Sequence, residues 1–250
     1  MFVKTLPVNT KGRDFVVGDI HGHFALLESA MKTARFDPVQ DRLISAGDMI
    51  NRGPDSKSAI GYLRQEWFHA VRGNHEQMFL DEVDANGRIE DDEFLYLCGM
   101  EWIKEMETST LKDWRPAFDA IPYAIKIETA DGDIGVVHAS VPREHSWDVF
   151  FNGVAGGNQM LLKRAMHDRS RIVGPTRDDA PIDGVSRVFH GHTRVTGGPL
   201  LLSNRCYIDT GAGKIYTDNT GLTLCDIKAR DDAIQNAVFV NRVCVVLAGP

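Results

Sequence analysis

Residues 43 to 56 read LISAGDMINRGPDS: a short apolar run ends in glycine and is followed at once by an acid, an amide and an arginine. One such segment is typical of a strand that leaves a sheet through a turn, because Gly, Asn and Pro suit turn backbones. The arrangement recurs, however. The apolar residues 15 to 17 precede GDIHG, and residues 70 and 71 precede RGNHE. Three strands that end in polar side chains behind glycine indicate a shared site.

The segments between these strands have apolar residues at helical spacing, over 24–35 and 56–66. The resulting βαβαβ order predicts a layered α/β sheet, in which loops at the carboxyl ends of strands are the usual site positions. Two later strands end in the same way, since residues 136 and 137 precede His138 and residues 188 and 189 precede His190. We therefore expect five strand ends to converge.

The rest of the chain predicts a cap and a second set of strands. Residues 81–120 are acidic and contain tryptophan, which indicates a helical cap or side layer. Residues 123–137 predict a hairpin, and further strands are expected at 185–189, 200–202, 207–208 and 222–224. No internal repeat or low-complexity linker appears in the sequence. Residues 1–250 are therefore predicted to form one domain, with motifs over 13–227 and no role assigned to the tail 228–250.

Composition excludes several classes of protein. The 250 residues are 43% hydrophobic, which is ample for a buried core, and the net charge of -7 argues against a non-specific nucleic-acid binder. The start lacks the apolar region of a signal peptide, and no run approaches the roughly 18 residues that span a bilayer, so we expect a cytoplasmic protein without a membrane partner. The four cysteines have no CxxC spacing, which disfavours zinc-thiolate sites and disulfide frameworks.

The polar residues at the strand ends indicate a metal site without thiolates. Carboxylates, an amide oxygen and imidazoles suit manganese, iron or zinc better than calcium. Six ligands exceed the needs of one catalytic ion, whereas two ions about 3.5–4 Å apart that share a carboxylate would bind a phosphoryl oxygen and activate a water. Arg52 suits phosphate, because a guanidinium grips two oxygens in a fork. The candidate ligands are therefore two aspartates, one asparagine and several histidines at the five strand ends.

The motifs GDIHG, GDMINRG, RGNHE, HAS and HGHT, in this order, resemble the signature of the PPP-type metallophosphoesterases. RGNHEQM and YIDTGA bring the likeness closer to the small bacterial and phage-lambda-type serine/threonine protein phosphatases, over residues 13–227. The resemblance implies a layered α/β fold, a β-sandwich of mixed sheets flanked by helices. It also implies two divalent ions, with manganese expected first and iron or zinc as alternatives.

The resemblance assigns roles residue by residue. Asp19 and His21 would hold the first ion, Asp48 would bridge, and Asn74, His138 and His190 would hold the second. Arg52 would bind phosphate, and His75 would protonate the leaving oxygen. The family's second phosphate-binding arginine matches Arg164, with Arg171 and Arg177 as rivals.

Two departures from the family pattern bear on the substrate. Asn51 stands where the family usually has an aspartate that orients the catalytic histidine, and we expect the Asn51 oxygen to accept a proton from His75. Ser140 replaces an aspartate that often follows His-Ala. Asparagine at position 51 instead resembles some symmetrical diadenosine tetraphosphatases, although their usual GNHD differs from the GNHE of residues 73–76.

The predicted function is a two-metal phosphoesterase in which a metal-bound hydroxide attacks a phosphate monoester. Phosphoserine or phosphothreonine in a phosphoprotein is the leading substrate, and a small phosphorylated molecule, a dinucleoside polyphosphate, is the first alternative. A catalytically silent binding module is the third hypothesis. Glu76 is interpreted as a first-turn helix residue, and His192 and Trp102 as surface or packing residues, with His192 nearest the site. The sequence carries no signal of oligomeric state.

Overall fold

The computed structural model describes residues 1–90, 92–175, 177–214 and 219–249, and of Asp92 only the backbone. In chain order the strands are β1 (Val3–Leu6), β2 (Asp14–Val17), β3 (Arg42–Ser45), β4 (Phe68–Ala70), β5 (Ala124–Ile127), β6 (Ile134–Val137), β7 (Arg187–His190), β8 (Leu200–Leu202), β9 (Arg205–Tyr207), β10 (Leu222–Asp226) and β11 (Val243–Val246). The helices are α1 (Phe24–Thr33), α2 (Ala59–Leu63), α3 (Asn74–Glu82), α4 (Asp92–Cys98), α5 (Thr108–Asp119), α6 (Trp147–Ala155), α7 (Gln159–His167) and α8 (Asp231–Gln235). Short 3-10 turns lie at Ser56–Ser58, Glu101–Glu105 and Ala212–Lys214.

The strands form two mixed sheets. The first has the order β11-β10-β2-β3-β4, in which β2, β3 and β4 are parallel and β10 is antiparallel to β2. The second has the order β1-β5-β6-β7-β9-β8, in which β6, β7 and β9 are parallel. One apolar cluster joins the facing sides of both sheets, with Val16 and Ile44 from the first and Val136 and Phe189 from the second. The molecule is therefore a sandwich of two sheets.

Helices cover the outer faces because successive strand residues point to opposite sides. Phe15 of the first sheet, one residue from the inward Val16, packs in a cluster with Leu27 of α1 and Phe79 of α3. On the second sheet, Val188 packs in a cluster with Trp147 of α6. Burial on both sides explains the near-continuous apolar runs of these strands. The predicted α/β fold with mixed sheets flanked by helices is confirmed.

The pairing register brings strand ends to one edge of the sandwich. Val17 pairs with Ser45 and Ser45 with Ala70 in the first sheet, while Val137 pairs with His190 in the second. Parallel strands end at the same edge, so the loops after β2, β3 and β4 lie side by side, as do those after β6 and β7. A hydrogen bond from the ring of His138 to the Ala46 carbonyl oxygen, at 2.7 Å, joins the two groups of loops.

Other elements agree with the sequence in part. The β5–β6 hairpin is confirmed, with Ile127 opposite Ile134, and α4 and α5 form the helices expected over 81–120. The predicted helix 56–66 begins as a 3-10 turn that Asp55 caps and continues as α2. The tail forms α8 and β11, which adds an edge strand beside β10, and β1 was not predicted. The longest helix in the described part of the chain, α5, has 12 residues, which is too few to span a bilayer.

Candidate active site

Glycines let the converging loops approach closely. A β-carbon at Gly73 would overlap the carboxylate of Asp48, and one at Gly191 would overlap that of Asp19. Asp48 itself has a left-handed backbone with a φ of 51°, which is uncommon for a residue other than glycine. These close contacts place Asp48 against the loop after β4, at Gly73, and Asp19 against the loop after β7, at Gly191. In each of these loops, polar side chains follow the strand.

Asp48 lies at the centre of this cluster. Its Oδ2 is 3.7 Å from His21 Nε2, and its Oδ1 is 3.4 Å from His138 Nε2. The backbone N–H of His75 donates to Asp48 Oδ1 at 2.9 Å. Although burial raises the pKa of Asp48, the imidazoles of His138, His75 and His21 hold it well below its usual value. Asp48 is thus the carboxylate that two sides of the cluster share.

Asp19 lies on the His21 side of the cluster. Its Oδ2 is 4.0 Å from His21 Nε2, and both its oxygens accept from the His192 backbone N–H, at 3.1 and 3.0 Å. Burial, then the neighbouring carboxylates of Asp209 and Asp48, raises the pKa of Asp19 well above its usual value. A buried group of carboxylates is costly unless a cation compensates it.

The ring orientations of two histidines suit metal binding. His21 donates from Nδ1 to the Ile50 carbonyl oxygen at 3.1 Å, and His138 donates from Nδ1 to the Ala46 carbonyl oxygen at 2.7 Å. With Nδ1 donating in this way, the neutral form of each ring would have its lone pair on Nε2, the nitrogen on the side of Asp48. Metal-binding histidines are held in this way, with the second ring nitrogen fixed by a carbonyl or carboxylate.

Acceptor atoms crowd the other side of Asp48. Asn74 Oδ1 lies 3.1 Å from His138 Nε2 and 2.8 Å from His192 Nδ1. The ligand atoms of Asp48, His138 and His192 all lie within 4.8 Å of one another, as do those of Asp48, His21 and His75. An amide oxygen, a carboxylate and two imidazoles so close together form a donor set that fits a divalent metal ion.

His192 belongs to this set, whereas the sequence-based prediction named His190 as the ligand. His190 is the last residue of β7, and its ring stacks on Tyr207 with centroids 4.9 Å apart. Burial, then the cations of Arg205 and Arg171, lowers the pKa of His190 to about 3. His192 follows Gly191 with a left-handed φ of 63°, which turns its ring toward Asn74. The motif HGHT offered both histidines, and only the backbone turn distinguishes them.

A cleft of about 330 Å³ opens beside the cluster. Arg52 donates from a guanidinium nitrogen to His21 Nε2 at 2.8 Å, and Arg169 donates to the His192 carbonyl oxygen at 3.4 Å. The described residues that line the cleft are His21, Arg52, Arg169, Val173, His192, Thr193, Arg194, Asp209, Gly211, Gly213 and Lys214. The cations in this set make the cleft suitable for an anion.

Arg164 is placed differently from the prediction. It lies on α7, where it pairs with Glu144 at 3.6 Å and with Asp168 at 3.5 Å, and it is absent from the described lining of the cleft. The rival Arg171 is buried against Asp178 at 3.0 Å. Arg169 is the arginine of this segment that reaches the cleft beside Arg52. The i, i+4 spacing of Arg164 and Asp168 was a sequence signal for a local ion pair.

Comparison with known proteins identifies the family. The sequence profile of the calcineurin-like phosphoesterases matches residues 15–195. The chain belongs to this family.

The relatives of this phosphoesterase include two kinds of enzyme. It is 32% identical over 203 residues to serine/threonine-protein phosphatase 1 of Salmonella typhimurium, which covers 79% of the chain and 86% of that protein. It is 31% identical to a symmetrical bis(5'-nucleosyl)-tetraphosphatase of Pseudomonas syringae, over 53% of the chain and 42% of that protein. A crystal structure of a protein provisionally named diadenosine tetraphosphatase has a TM-score of 0.61 at 23% identity, over 100% of this chain and 98% of that one. That likeness supports the fold.

His75 of the phosphoesterase lies beside the metal cluster, and its orientation differs from the sequence-based expectation. Asn51 Nδ2 is 2.9 Å from His75 Nδ1, and Asn51 Oδ1 accepts from the indole N–H of Trp102 at 2.8 Å. The amide nitrogen of Asn51 therefore faces His75, whereas we expected the oxygen to do so. Burial, together with the Arg52 and His138 cations and against the opposing effect of Asp48, lowers the pKa of His75 to about 4.

Glu76 of the phosphoesterase does more than begin a helix. One carboxylate oxygen accepts from the backbone N–H groups of Asp48 and Gly73, at 2.8 and 2.9 Å, and the other accepts from Met49 at 2.8 Å. The side chain is fully buried, and burial, then the charge of Asp48, raises its pKa to about 7. Glu76 thus ties the Asp48 loop to the Gly73 loop, a link that sequence spacing alone does not reveal.

Proposed function

We propose that this phosphoesterase hydrolyses phosphate monoesters of phosphoserine and phosphothreonine in proteins, with the help of two divalent metal ions. The observation that carries the proposal is the position of Asp48, which lies between His21 on one side and His138 on the other. A carboxylate shared in this way suits a bridge between two ions. When bound, the ions would supply Lewis-acid stabilisation of phosphoryl oxygens and lower the pKa of water.

Each ion has its own set of ligands in the proposal. Asp19, His21 and Asp48 would hold one ion. Asp48, Asn74, His138 and His192 would hold the other. Manganese is the first expectation and iron or zinc the alternatives, because the set is mixed oxygen and nitrogen without thiolate. His75 is left out of the ligand set, because its Nδ1 accepts from Asn51, so that Nε2 carries the proton of the neutral ring.

The residues of the cleft bind and orient the substrate. Arg52 and Arg169 hold the phosphate, since a planar guanidinium donates two parallel hydrogen bonds to a phosphoryl group. In this structure the guanidinium of Arg52 donates a hydrogen bond to His21 Nε2. When a cation binds that nitrogen, the guanidinium would turn toward the phosphate. The Nε2–H of His75 donates to the leaving-group oxygen.

We also propose that the chain forms a single domain and that the protein is cytoplasmic.

A phosphoprotein substrate is supported by the extent of the relationship. The relative named serine/threonine-protein phosphatase 1 matches over most of both chains, while the relative named symmetrical tetraphosphatase matches over about half of each. The second candidate function, hydrolysis of a dinucleoside tetraphosphate, is favoured by one feature, Asn51 in place of an aspartate. A phosphate leaving group is weakly basic and needs less assistance from a proton donor than an alkoxide does.

The test compares the two substrates on the manganese-loaded protein. We expect a higher kcat/KM for a phosphoserine peptide than for diadenosine tetraphosphate, with Asp48→Asn about 100-fold or more slower on both as the control for contaminating phosphatases. The reverse preference would assign the tetraphosphatase activity instead. Binding of manganese with no turnover of either substrate would point to the binding module.

A further inference from the structure

Three side chains form a hydrogen-bonded chain that runs from the cap into the site. The indole N–H of Trp102, in the 3-10 turn Glu101–Glu105, donates to Asn51 Oδ1 at 2.8 Å. Asn51 Nδ2 lies 2.9 Å from His75 Nδ1. Asn51 and His75 are buried and Trp102 is partly buried, so water competes little with these bonds.

Hydrogen-bonding chemistry fixes the direction of this chain. An indole N–H is a donor only, so the atom of Asn51 that faces it must be the oxygen. The amide nitrogen of Asn51 then faces His75, and because it also is a donor only, His75 Nδ1 must be the acceptor. The single proton of the ring is therefore on Nε2. That nitrogen lies 3.9 Å from Asp48 Oδ2 and has no hydrogen-bond partner among the described residues.

We propose that Trp102 is a positioning residue for the catalytic His75: through Asn51 it holds the imidazole with a proton on Nε2, which donates a hydrogen bond to the leaving-group oxygen. The inference rests on the proposed hydrolysis of phosphate esters. Attack by the oxygen of water forms the new P–O bond as the bond to the leaving oxygen breaks. His75 keeps its one proton and stabilises the developing negative charge by a hydrogen bond, and the departing alcohol takes its proton from water.

The amide at position 51 decides this behaviour. A carboxylate there would accept from Trp102 with one oxygen and from His75 Nδ1–H with the other, which would place a ring proton on Nδ1. An amide that is already bonded to Trp102 offers His75 only N–H, so Nδ1 accepts and the ring proton is on Nε2. By donating to the oxygen of Asn51, Trp102 therefore turns the amide nitrogen of Asn51 toward His75.

Ring packing and a backbone hydrogen bond of the same segment fix the position of Trp102. Its ring stacks on Phe79 of α3, the helix that begins with Asn74 and His75, with centroids 6.2 Å apart and planes 9° apart. Three residues before Trp102, the Gly99 carbonyl oxygen accepts from the Arg52 backbone N–H at 2.9 Å, and a β-carbon at Gly99 would press on Arg52 Cα at 2.9 Å. The cap segment 99–102 therefore contacts both Asn51 and Arg52.

The test replaces Trp102 by Phe, which keeps the aromatic packing and removes the N–H. The matched control is Trp114→Phe, which alters a neighbouring ring 6.4 Å from Trp102. We first measure the ¹⁵N signals of the histidine rings in metal-free protein, with His75 assigned by its loss in His75→Gln. We expect wild type to have an unprotonated Nδ1 and a protonated Nε2 at His75. Trp102→Phe should populate the opposite form as well, because its Asn51 is free to turn, and Asn51→Asp should place a proton on Nδ1.

The kinetic arm compares poor and good leaving groups. Relative to wild type, Trp102→Phe should lower kcat about tenfold on a phosphoserine peptide and less than about twofold on 4-nitrophenyl phosphate, whose leaving group hardly needs a donor. Trp114→Phe should lower neither. A protonated Nδ1 in wild type, or equal losses on the two substrates, would overturn the inference. If wild type hydrolyses neither substrate, the proposed function fails, and the ring signals of Trp102→Phe still decide whether Trp102 sets the tautomer.

Discussion

Replacing Glu76 by Gln probes how the site is held together. The Glu76 carboxylate accepts three backbone N–H bonds, two at one oxygen from Asp48 and Gly73 and one at the other from Met49. An amide has one acceptor oxygen, so in its best orientation it keeps two bonds and turns its NH₂ against the Met49 N–H. Hydrogen bonds to a charged group contribute about 1.5–3 kcal/mol each, and an orphaned buried donor costs about 1–3 kcal/mol.

We expect Glu76→Gln to lower the free energy of unfolding by about 2–3 kcal/mol, since relief from burying a charge offsets part of the loss. The measurement is urea unfolding of metal-free protein, with Glu66→Gln as the control, because Glu66 is exposed and its change should stay within about 0.5 kcal/mol. Calorimetric titration with Mn²⁺ should show weaker binding in Glu76→Gln, because the Asp48 backbone is no longer fixed. Unchanged stability together with unchanged Mn²⁺ affinity would refute the reasoning.

The remaining predictions concern the bridge, the phosphate site and the scaffold. Asp48→Asn should lower the metal content below two ions per chain and the rate by about 100-fold or more, as elemental analysis and kinetics would show, and two retained ions would contradict the bridging role. Arg169→Ala should raise the Ki for inorganic phosphate by about 10–100-fold, because a charged hydrogen bond is lost, while Arg164→Ala should change the Ki less than about twofold. A larger effect of Arg164→Ala than of Arg169→Ala would support Arg164 as the phosphate-binding arginine. Arg13 donates to Asp41 at 2.6 Å and, against the effect of burial, lowers the pKa of Asp41. Asp41→Asn should therefore lower the free energy of unfolding by about 1–2 kcal/mol at pH 7. The difference from wild type should shrink below about pH 4, as Asp41 of the wild type becomes protonated. A difference that grows on acidification would contradict that assignment.

Local motifs predicted the strand ends well, because an apolar run followed by glycine and a ligand is a short-range signal. The choice between His190 and His192 depends on the backbone at His192, whose left-handed φ of 63° turns the ring toward Asn74, and residue type alone does not show this. Arg169 was not among the candidates Arg164, Arg171 and Arg177, because the end of helix α7 decides which side chain faces the cleft.

Long-range contacts were beyond the sequence. Strand β1 has weak patterning of its own and exists through its parallel pairing with β5, so that Val3 lies opposite Ala124. The orientation of Asn51 depends on Trp102, a residue of the cap whose position follows from packing against α3. Glu76 was interpreted only as a first-turn helix residue, because its bonds to the Asp48 loop follow from the meeting of two strand ends.

The most direct test of the proposed two-metal phosphatase is to remove the metal and return it in known amounts. Protein dialysed against a chelator is assayed for metal content and for hydrolysis of a phosphoserine peptide, and Mn²⁺ is then added in steps. We predict no turnover by the metal-free protein and a return of activity that saturates at two Mn²⁺ per chain, because water at the site is acidic enough to react only while metal is bound. Full turnover by protein shown to contain no metal would contradict the proposal.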